Sequence, residues 1–470
     1  MLASLTLIVL GAMGPLSLLP AHVSLDYGEG WNAYWTAAAM RSPHDLYPGV
    51  HGLIANNYPP LSFYVTALIS RLVGDEIVAG RSIALASLLS GAGLSGWIVF
   101  QLARSVTWSL ASALLILLYA LYPFGQFFAS NNPQWLGQAL MLWGAALLVG
   151  AEGPLPGRWS CLGSAALMVI SGLVKHNQIA MPIAIACWLL IRDRNLFKLW
   201  CVALVAWGLA ACLAVQLIYG SAIFAEVLGF RRTYTLHNFL GGLAGIACLL
   251  PMSAFGLFAM WRRPKDPRSL LFGMFASLGL MLGAVQHFGA GVGENAYYDA
   301  FIGEGILCCA LLGSAATRGV DGFPGPWARA ALFAVLLTPI IVVAPEKLTA
   351  SLAEARDVRL AQAQWSAMIS DVRQARGPVL CEVLAVCFWA NKPMALDFFA
   401  FGQKLRTGAD AGPLRTFITR KAASLMILDR HFALHAKGET RLPAPFPQLM
   451  RENYKLTRTA PPGVDEFEPR

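Results

Sequence analysis

Two carboxylates stand three residues apart in the segment LDYGEGWNAYW, at Asp26 and Glu29. The segment follows an apolar stretch, residues 2–20, that is long enough to cross a membrane. A carboxylate at a membrane face can act as a general base for a hydroxyl or an amine, and a second one can tune it or bind substrate. Solvated loop acids show the same spacing, so the spacing alone leaves the role of this pair open.

The composition of the chain is that of a membrane protein. Of the 470 residues 57% are hydrophobic and 13% are charged, whereas soluble domains carry about 25% charged residues. The mean hydropathy is +0.56. These values predict a protein whose apolar surface lies mostly in a bilayer. The net charge of +9 is spread over short loops and the tail, which favours membrane orientation over a nucleic-acid partner.

Eleven apolar runs predict an all-α polytopic membrane domain over residues 1–345. After residues 2–20 the other runs lie at about 78–101, 107–128, 132–150, 159–174, 178–191, 198–219, 239–260, 270–288, 296–315 and 328–345. A loop over residues 22–77 contains two amphipathic stretches, at about 31–41 and 60–73, that are typical of helices at a membrane interface. With a cytoplasmic N-terminus the inner loops hold more Lys and Arg than the outer loops, so the tail is expected outside.

The tail, residues 346–470, predicts a small α/β domain. EKLTASLAEARDVRLAQAQWSAMISDVRQA is a long helical pattern, GPVLCE and AASLMILD indicate short buried strands, and RENYKLTRTAPPGVDEFEPR is expected to be a loose end. Cys381 and Cys387 can form a disulfide in an oxidising compartment. The nine cysteines show no metal-ligand spacing, so no metal site is predicted.

Further candidates for binding lie at the predicted outer side. Tyr58 either lines a polar pocket or anchors the start of a helix. Lys175 and His176 either bind a phosphate or, in the case of the lysine, extend to the interface as lysines near span ends usually do. Arginine pairs suit a lipid-linked phosphate, and they also suit lipid headgroups. The remaining candidates are Arg81, Arg231, Arg232, His237, Asn238, His287, Glu294 and Asn295.

The order of the N-terminal motifs resembles one family. LDYGEGWNAYWTAAAM, DLYPGV, NNYPPLSFYVTALISRLVGD and AGRSIAL follow one another as in the N-terminal third of polyprenyl-phosphate-dependent membrane glycosyltransferases. These enzymes form the GT-C superfamily, which includes protein O-mannosyltransferases and lipid A aminoarabinose transferases. The resemblance is specific over the first 85 residues and weaker at GENAYYDAF and in the tail. The adjacent Asp-Glu pair of the family is here split into Asp26 and Glu29.

The resemblance implies a GT-C-like fold, a periplasmic site and inverting transfer of a hexosyl or pentosyl group from a polyprenyl-phosphate sugar to a cell-envelope acceptor. Asp26 or Glu29 would be the base, and the basic residues would hold the donor phosphate. The expected location is the bacterial inner membrane, with the α/β domain periplasmic. No cofactor is expected with certainty beyond the lipid-linked donor; some GT-C branches use a divalent metal, but nothing in this sequence requires one. A secondary transporter or lipid flippase is the alternative, and a non-catalytic envelope partner is a third reading.

Overall fold

The computed structural model describes residues 1–49, 52–150, 155–262, 267–318, 325–430, 441–459 and 463–470. The helices before the first strand are α1 Leu2–Leu18, α2 Tyr27–Arg41, α3 Leu61–Val73, α4 Glu76–Ala103, α5 Val106–Leu121, α6 Gln134–Val149, α7 Arg158–Val174, α8 Ala180–Arg192, α9 Arg194–Tyr219, α10 Ala222–Val227, α11 Leu236–Arg262, α12 Pro267–Gln286, α13 Tyr298–Arg318, α14 Pro326–Leu336 and α15 Thr338–Gln374. Aspartate side chains cap several of them at the N-terminus, among them Asp26 on α2, Asp75 on α4 and Asp193 on α9.

Each of the eleven apolar runs forms helix, which confirms a polytopic helical fold. Among the described residues five helices are long and apolar enough to cross a bilayer: α4, α9, Leu236–Phe258, Arg268–Gln286 and Glu294–Thr317. A sixth span results if α14 and α15, which are bent by 49° at their junction, are one span. In the part of the chain that the structure describes, six further apolar helices of 10–17 residues are shorter than the roughly 20 residues of a typical span, namely α1, α3, α5, α6, α7 and α8. The number of spans therefore stays a prediction.

Helix α13 lies in the middle of the bundle, against α4, α5, α11 and α12. Its aromatic residues stack with those of neighbouring segments, as Phe301 does on Phe124 with ring centroids 5.2 Å apart. In contrast, most of α9 is exposed apolar surface. Such a face is expected to contact lipid, because the interior of the bundle is already filled by the other helices.

The C-terminal domain is built on a four-stranded sheet. The strands are β1 Val379–Cys381, β2 Leu425–Asp429, β3 Tyr454–Thr459 and β4 Val464–Pro469, in the order β1-β2-β4-β3. β1 and β2 are parallel, and the other two pairs are antiparallel. The domain also contains α16 Leu384–Trp389, α17 Phe398–Arg406, α18 Gly412–Thr419 and α19 Phe446–Asn453. The predicted strands within GPVLCE and AASLMILD and the long helix before them are confirmed.

The expectation of a loose C-terminal end is wrong. Residues 454–459 and 464–469 form β3 and β4, the two strands that complete the sheet. The segment is rich in charged residues, but Tyr454, Val464 and Phe467 are buried in the domain. Three buried side chains separated by polar ones were too weak a pattern to indicate strands.

A disulfide joins Cys381 at the end of β1 to Cys387 in α16, so the pairing proposed from the sequence is present. Helix α16 packs directly against α2, and one face of the sheet packs on the end of α15 and on residues 18–25. The end of the bundle that carries α2, α3 and the C-terminal domain is called the capped end below. Helix α15 runs without interruption across the predicted domain boundary at residue 345.

The contact between α2 and α16 depends on Gly30. A Cβ atom at Gly30 would lie 2.1 Å from the Ala385 backbone nitrogen. We therefore expect Gly30→Ala to separate the two helices and to lower the free energy of unfolding by about 1–3 kcal/mol, the usual cost of overpacking. The measurement is thermal unfolding of the purified protein in lipid nanodiscs.

Gly93→Ala is the matched control, because a Cβ at Gly93 in α4 meets no described atom within 4 Å. This variant should unfold at or slightly above the wild-type temperature. Equal unfolding temperatures for Gly30→Ala and wild type would contradict the close approach of α2 and α16.

Candidate active site

Asp26 is the N-cap of α2, with one carboxylate oxygen engaged and the other free. Its Oδ1 accepts a hydrogen bond from the Gly28 backbone N–H. Its Oδ2 is buried and has no hydrogen-bond partner in the described part of the chain. Burial and the negative charge of Glu29 raise the pKa of Asp26 to about 7, against the opposing effects of the Gly28 N–H, the Arg81 charge and the nearby Ser130 hydroxyl. A carboxylate with a free oxygen and a pKa near neutrality has the properties of a general base.

Glu29 differs from Asp26 because it forms a fully buried ion pair with Arg81. Arg81 Nε donates to Glu29 Oε1 at 2.7 Å, and Nη2 donates to Oε2 at 2.6 Å. Both side chains are completely inaccessible. The remaining guanidinium hydrogens bind the carbonyl oxygens of Leu18, Ala21 and Val23. The pair thus ties α2 to α4 and to the end of α1.

Backbone and amide groups complete the surroundings of Glu29. Its Oε2 also accepts from the Leu25 N–H at 2.9 Å, and its Oε1 accepts from the Asn131 N–H at 3.1 Å. The Asn131 side chain donates to the Glu29 carbonyl, and Asn32 donates to the Asn131 carbonyl. With both oxygens occupied by two donors each, Glu29 has little capacity left to accept a proton from a substrate.

A second polar cluster surrounds Lys175 at the turn between α7 and α8. Lys175 is 4% exposed, and its Nζ lies 5.3 Å from the centroid of the Tyr58 ring. The Asn295 carboxamide lies 3.0 Å from Nζ when its oxygen faces the ammonium group, and it also contacts the Gln134 side chain. Burial lowers the pKa of Lys175, as does the nearby charge of Arg232. The described residues place no carboxylate within ion-pair distance of Lys175.

Arg232 lies next to this cluster, where two loops meet the C-terminal domain. Residues 233–235 pair with the backbone of residues 288–290. The Arg232 guanidinium lies 5.6 Å from the ring centroid of Phe399 in α17, and Gln403 of α17 accepts hydrogen bonds from Thr233. Arg232 therefore stands between the helix bundle and the C-terminal domain, half-buried, with the surface-exposed His176 near the same cations.

Several sequence-predicted candidates lie apart from these contacts. Arg231 and His237 are exposed. Asn238 donates to the Phe288 carbonyl, and His287 is buried with its ring stacked on that of Tyr297. Glu294 begins a short 3₁₀-helix, and its backbone faces Gln126. The structure therefore brings together Asp26, Glu29 and Arg81 in one group, and Tyr58, Lys175, Asn295 and Arg232 in the other.

Residues that the sequence did not single out connect the two groups. Asn131 binds Glu29, and Gln134, three residues later at the start of α6, contacts Asn295 beside Lys175. Asp397 accepts hydrogen bonds from Tyr27 and Trp31 of α2 across a separation of about 370 residues along the chain. No local spacing indicates such partners. In the described residues no group of three His, Cys, Asp or Glu side chains could hold a metal ion.

Comparisons with known proteins identify the fold. The family model described as dolichyl-phosphate-mannose-protein mannosyltransferase matches residues 57–219. No curated protein matches the sequence significantly. ArnT from Cupriavidus metallidurans in the apo state superposes with a TM-score of 0.60 at 16% identity, over 98% of this chain and 97% of that one. The structure of the same protein bound to undecaprenyl phosphate superposes with a TM-score of 0.59 at 14% identity, over 99% of this chain and 97% of that one.

This chain has the GT-C fold. The oligosaccharyltransferase of Archaeoglobus fulgidus in its apo form is also similar, with a TM-score of 0.56 at 11% identity over 91% of this chain and 70% of that one. The resemblance inferred from the N-terminal motifs is therefore confirmed, and it extends over nearly the whole chain. At these identities the likeness shows the fold, and the reaction must be argued from the site.

The two carboxylates should respond differently to neutralisation. Glu29→Gln leaves the Arg81 charge buried without a counter-ion, so we expect it to lower the free energy of unfolding by about 3–5 kcal/mol. Asp26→Asn removes a carboxylate that burial already disfavours, and asparagine is an equally good N-cap. This variant should unfold at or above the wild-type temperature, measured by thermal unfolding in nanodiscs.

The sign of the pH dependence follows from the raised pKa of Asp26. The fold favours the protonated form of Asp26. Ionisation of this group therefore lowers the stability of the protein increasingly as the pH rises from 3.8, the ordinary pKa of aspartate, to about 7, its pKa in the fold. The advantage of Asp26→Asn over wild type should therefore be largest at about pH 8 and shrink toward about pH 4. A loss of stability in Asp26→Asn as large as that in Glu29→Gln would contradict the assignment of the structural role to Glu29.

Proposed function

We propose that this chain is a membrane glycosyltransferase that moves a sugar from a polyprenyl-phosphate carrier to a hydroxyl or amine of a cell-envelope acceptor, with Asp26 as the general base. The observation that carries the proposal is the contrast between Asp26, with a free oxygen and a pKa near 7, and Glu29, which is committed to Arg81. The GT-C fold and the match of residues 57–219 to a dolichyl-phosphate-mannose transferase family support the donor class.

The reaction is a direct displacement at the anomeric carbon. The acceptor oxygen or nitrogen forms a bond to that carbon as the bond from the carbon to the phosphate oxygen breaks, and the electron pair stays on the phosphate. Asp26 Oδ2 takes the proton from the acceptor oxygen or nitrogen as that atom attacks the anomeric carbon. Attack opposite the leaving group inverts the anomeric centre. The products are the glycosylated acceptor and the carrier phosphate.

Lys175 and Arg232 are the proposed phosphate ligands. Negative charge grows on the phosphate as it leaves, and cations that are already in place stabilise that charge without reorganisation. Tyr58 and Asn295 fix the Lys175 ammonium group from two sides. Undecaprenyl phosphate is bound by ArnT of Cupriavidus metallidurans, which shares the fold, so a carrier of that class is the proposed donor here. Hexose and pentose donors fit this argument equally.

The capped end is proposed to face the periplasm. The Cys381–Cys387 disulfide supports this orientation, because disulfides persist in oxidising compartments and are rare in the cytosol. The excess of basic residues in the loops at the opposite end supports it as well. The proposed location is the bacterial inner membrane, which the polytopic fold and the likeness to ArnT of Cupriavidus metallidurans support.

The base assignment is tested by transfer assays with purified protein in nanodiscs, a panel of labelled undecaprenyl-phosphate sugars and cell-envelope extract as acceptor. Asp26→Asn should lower kcat by about 10²- to 10⁴-fold, the range for loss of a general base. The wild-type rate should rise with pH through about 7, because only ionised Asp26 accepts the proton, and it should be about tenfold below its plateau at about pH 6.

Asp45→Asn is the matched control for Asp26→Asn. Asp45 is a half-exposed acid of the same loop region that pairs with Arg41, and its loss should leave the rate unchanged. Undiminished transfer by Asp26→Asn would remove Asp26 from the mechanism. Absence of transfer from every donor by the wild-type protein would favour the transporter or flippase alternative.

The phosphate assignment gives a separate prediction. Lys175→Met removes a charge-assisted contact worth about 1.5–3 kcal/mol, so the dissociation constant of the donor should rise by about 10- to 150-fold. Binding of labelled undecaprenyl-phosphate sugar measures this effect directly. Lys455→Met is the matched control, because it removes the same single positive charge at an exposed position of β3. Equal donor affinities for the two variants would exclude Lys175 as a ligand.

A further inference from the structure

Asp397 is a buried carboxylate of the C-terminal domain whose hydrogen bonds cross to α2. It is 1% exposed and caps α17 by accepting from the Ala400 N–H at 2.8 Å. Its Oδ1 also accepts from the Tyr27 hydroxyl at 2.7 Å, and its Oδ2 accepts from Trp31 Nε1 at 2.8 Å. Tyr27 and Trp31 are one helical turn apart on α2, so one carboxylate holds one face of its first two turns.

The Tyr27 ring is held by a second group of the same domain. The Arg441 guanidinium lies 4.3 Å from the centroid of that ring, and Arg441 Nη1 donates to the buried Glu382 at 2.7 Å. Tyr27 is the residue directly after Asp26. The first turn of α2 is therefore fixed from the bundle by Glu29 and Arg81, and from the C-terminal domain by Asp397 and Arg441.

The charge of Asp397 exceeds what a helix cap requires. A neutral serine or asparagine caps a helix equally well. No Lys or Arg side chain forms an ion pair with Asp397 among the described residues. Burying an unpaired carboxylate is costly unless donors surround it. Two of its three donors come from α2, so the α2 contact is what the aspartate stabilises at this position.

We propose that Asp397 is a positioning residue that sets the orientation of Asp26 by fixing the first turn of α2. The inference rests on the proposed function, because it assigns the C-terminal domain a role in placing the base. Without the Asp397 bonds the first turn keeps the Glu29–Arg81 pair and the Arg441 contact with the Tyr27 ring, but it loses the hydrogen bonds that stop it from rotating about that pair. Asp26 then moves relative to the bound donor while the Lys175 cluster keeps its place.

The central test compares Asp397→Asn with wild type in the transfer assay. Asparagine keeps an oxygen at the Oδ1 position, which caps α17 and accepts from Tyr27, but its amide group replaces Oδ2 with a donor, so the bond from Trp31 Nε1 is lost. We expect kcat to fall by about 10- to 100-fold with the KM for the donor unchanged, as for a misplaced base. The acid limb of the pH–rate profile should also move to lower pH, because a displaced Asp26 is more hydrated and hydration lowers the pKa of a carboxylate.

Asp75→Asn is the matched control. Asp75 is also an N-cap, on α4, and it accepts a hydrogen bond from Trp389 of the C-terminal domain at 2.9 Å. Its loss weakens the contact between the domain and the bundle without touching α2. This variant should keep the wild-type kcat and pH profile. An equal fall in kcat for Asp75→Asn and Asp397→Asn would show general loosening of the domain and overturn the proposal.

A readout independent of turnover separates this inference from the proposed function. Hydrogen–deuterium exchange of peptides covering residues 25–35 should increase in Asp397→Asn and remain at the wild-type level in Asp75→Asn. Unchanged exchange in Asp397→Asn, or an unchanged kcat and acid limb, overturns the positioning role. If the wild-type protein transfers no sugar, the exchange experiment still decides whether Asp397 fixes α2, and the failure then belongs to the proposed function.

Discussion

The buried ion pair between Glu29 and Arg81 is the interaction on which the arrangement of the site depends. All five N–H groups of Arg81 are used, on Glu29 and on three carbonyl oxygens at the end of α1 and just after it. Taking two charges out of water costs several kcal/mol per ion, which only such complete pairing offsets. The pair therefore fixes α1, α2 and α4 in one relative orientation, and Asp26 takes its position from that orientation.

The same pair explains why two neighbouring carboxylates differ so strongly. Glu29 lies one turn inside α2 and meets a guanidinium, whereas Asp26 caps the helix and meets one backbone N–H. Glu29 also adds its negative charge to the surroundings of Asp26 and so contributes to the raised pKa of that group. One acid thus stabilises the fold and prepares the other for proton transfer, a division of roles set by environment.

The sequence predicted much of the fold because the apolar runs are long and the bilayer leaves the backbone few alternatives to a helix. It predicted less of the site. The partner of Glu29 is 52 residues away and that of Lys175 is 120 residues away, and no periodicity reports such contacts. Asp397 was missed for the same reason, and β3 and β4 were missed because charged residues hid three buried side chains.

The distribution of charge on the capped end supports two separate places in the site, one for the base and one for the donor phosphate. Arg81 is neutralised within the protein, so it is not available to a substrate anion. Lys175, which is buried, and Arg232, which is half-buried, have no carboxylate within ion-pair distance among the described residues, so both remain available for the proposed donor phosphate. Helix α17 touches α2 through Asp397 and the Arg232 loop through Phe399 and Gln403. The C-terminal domain thus spans the two halves of the site, which accounts for its close packing on the bundle.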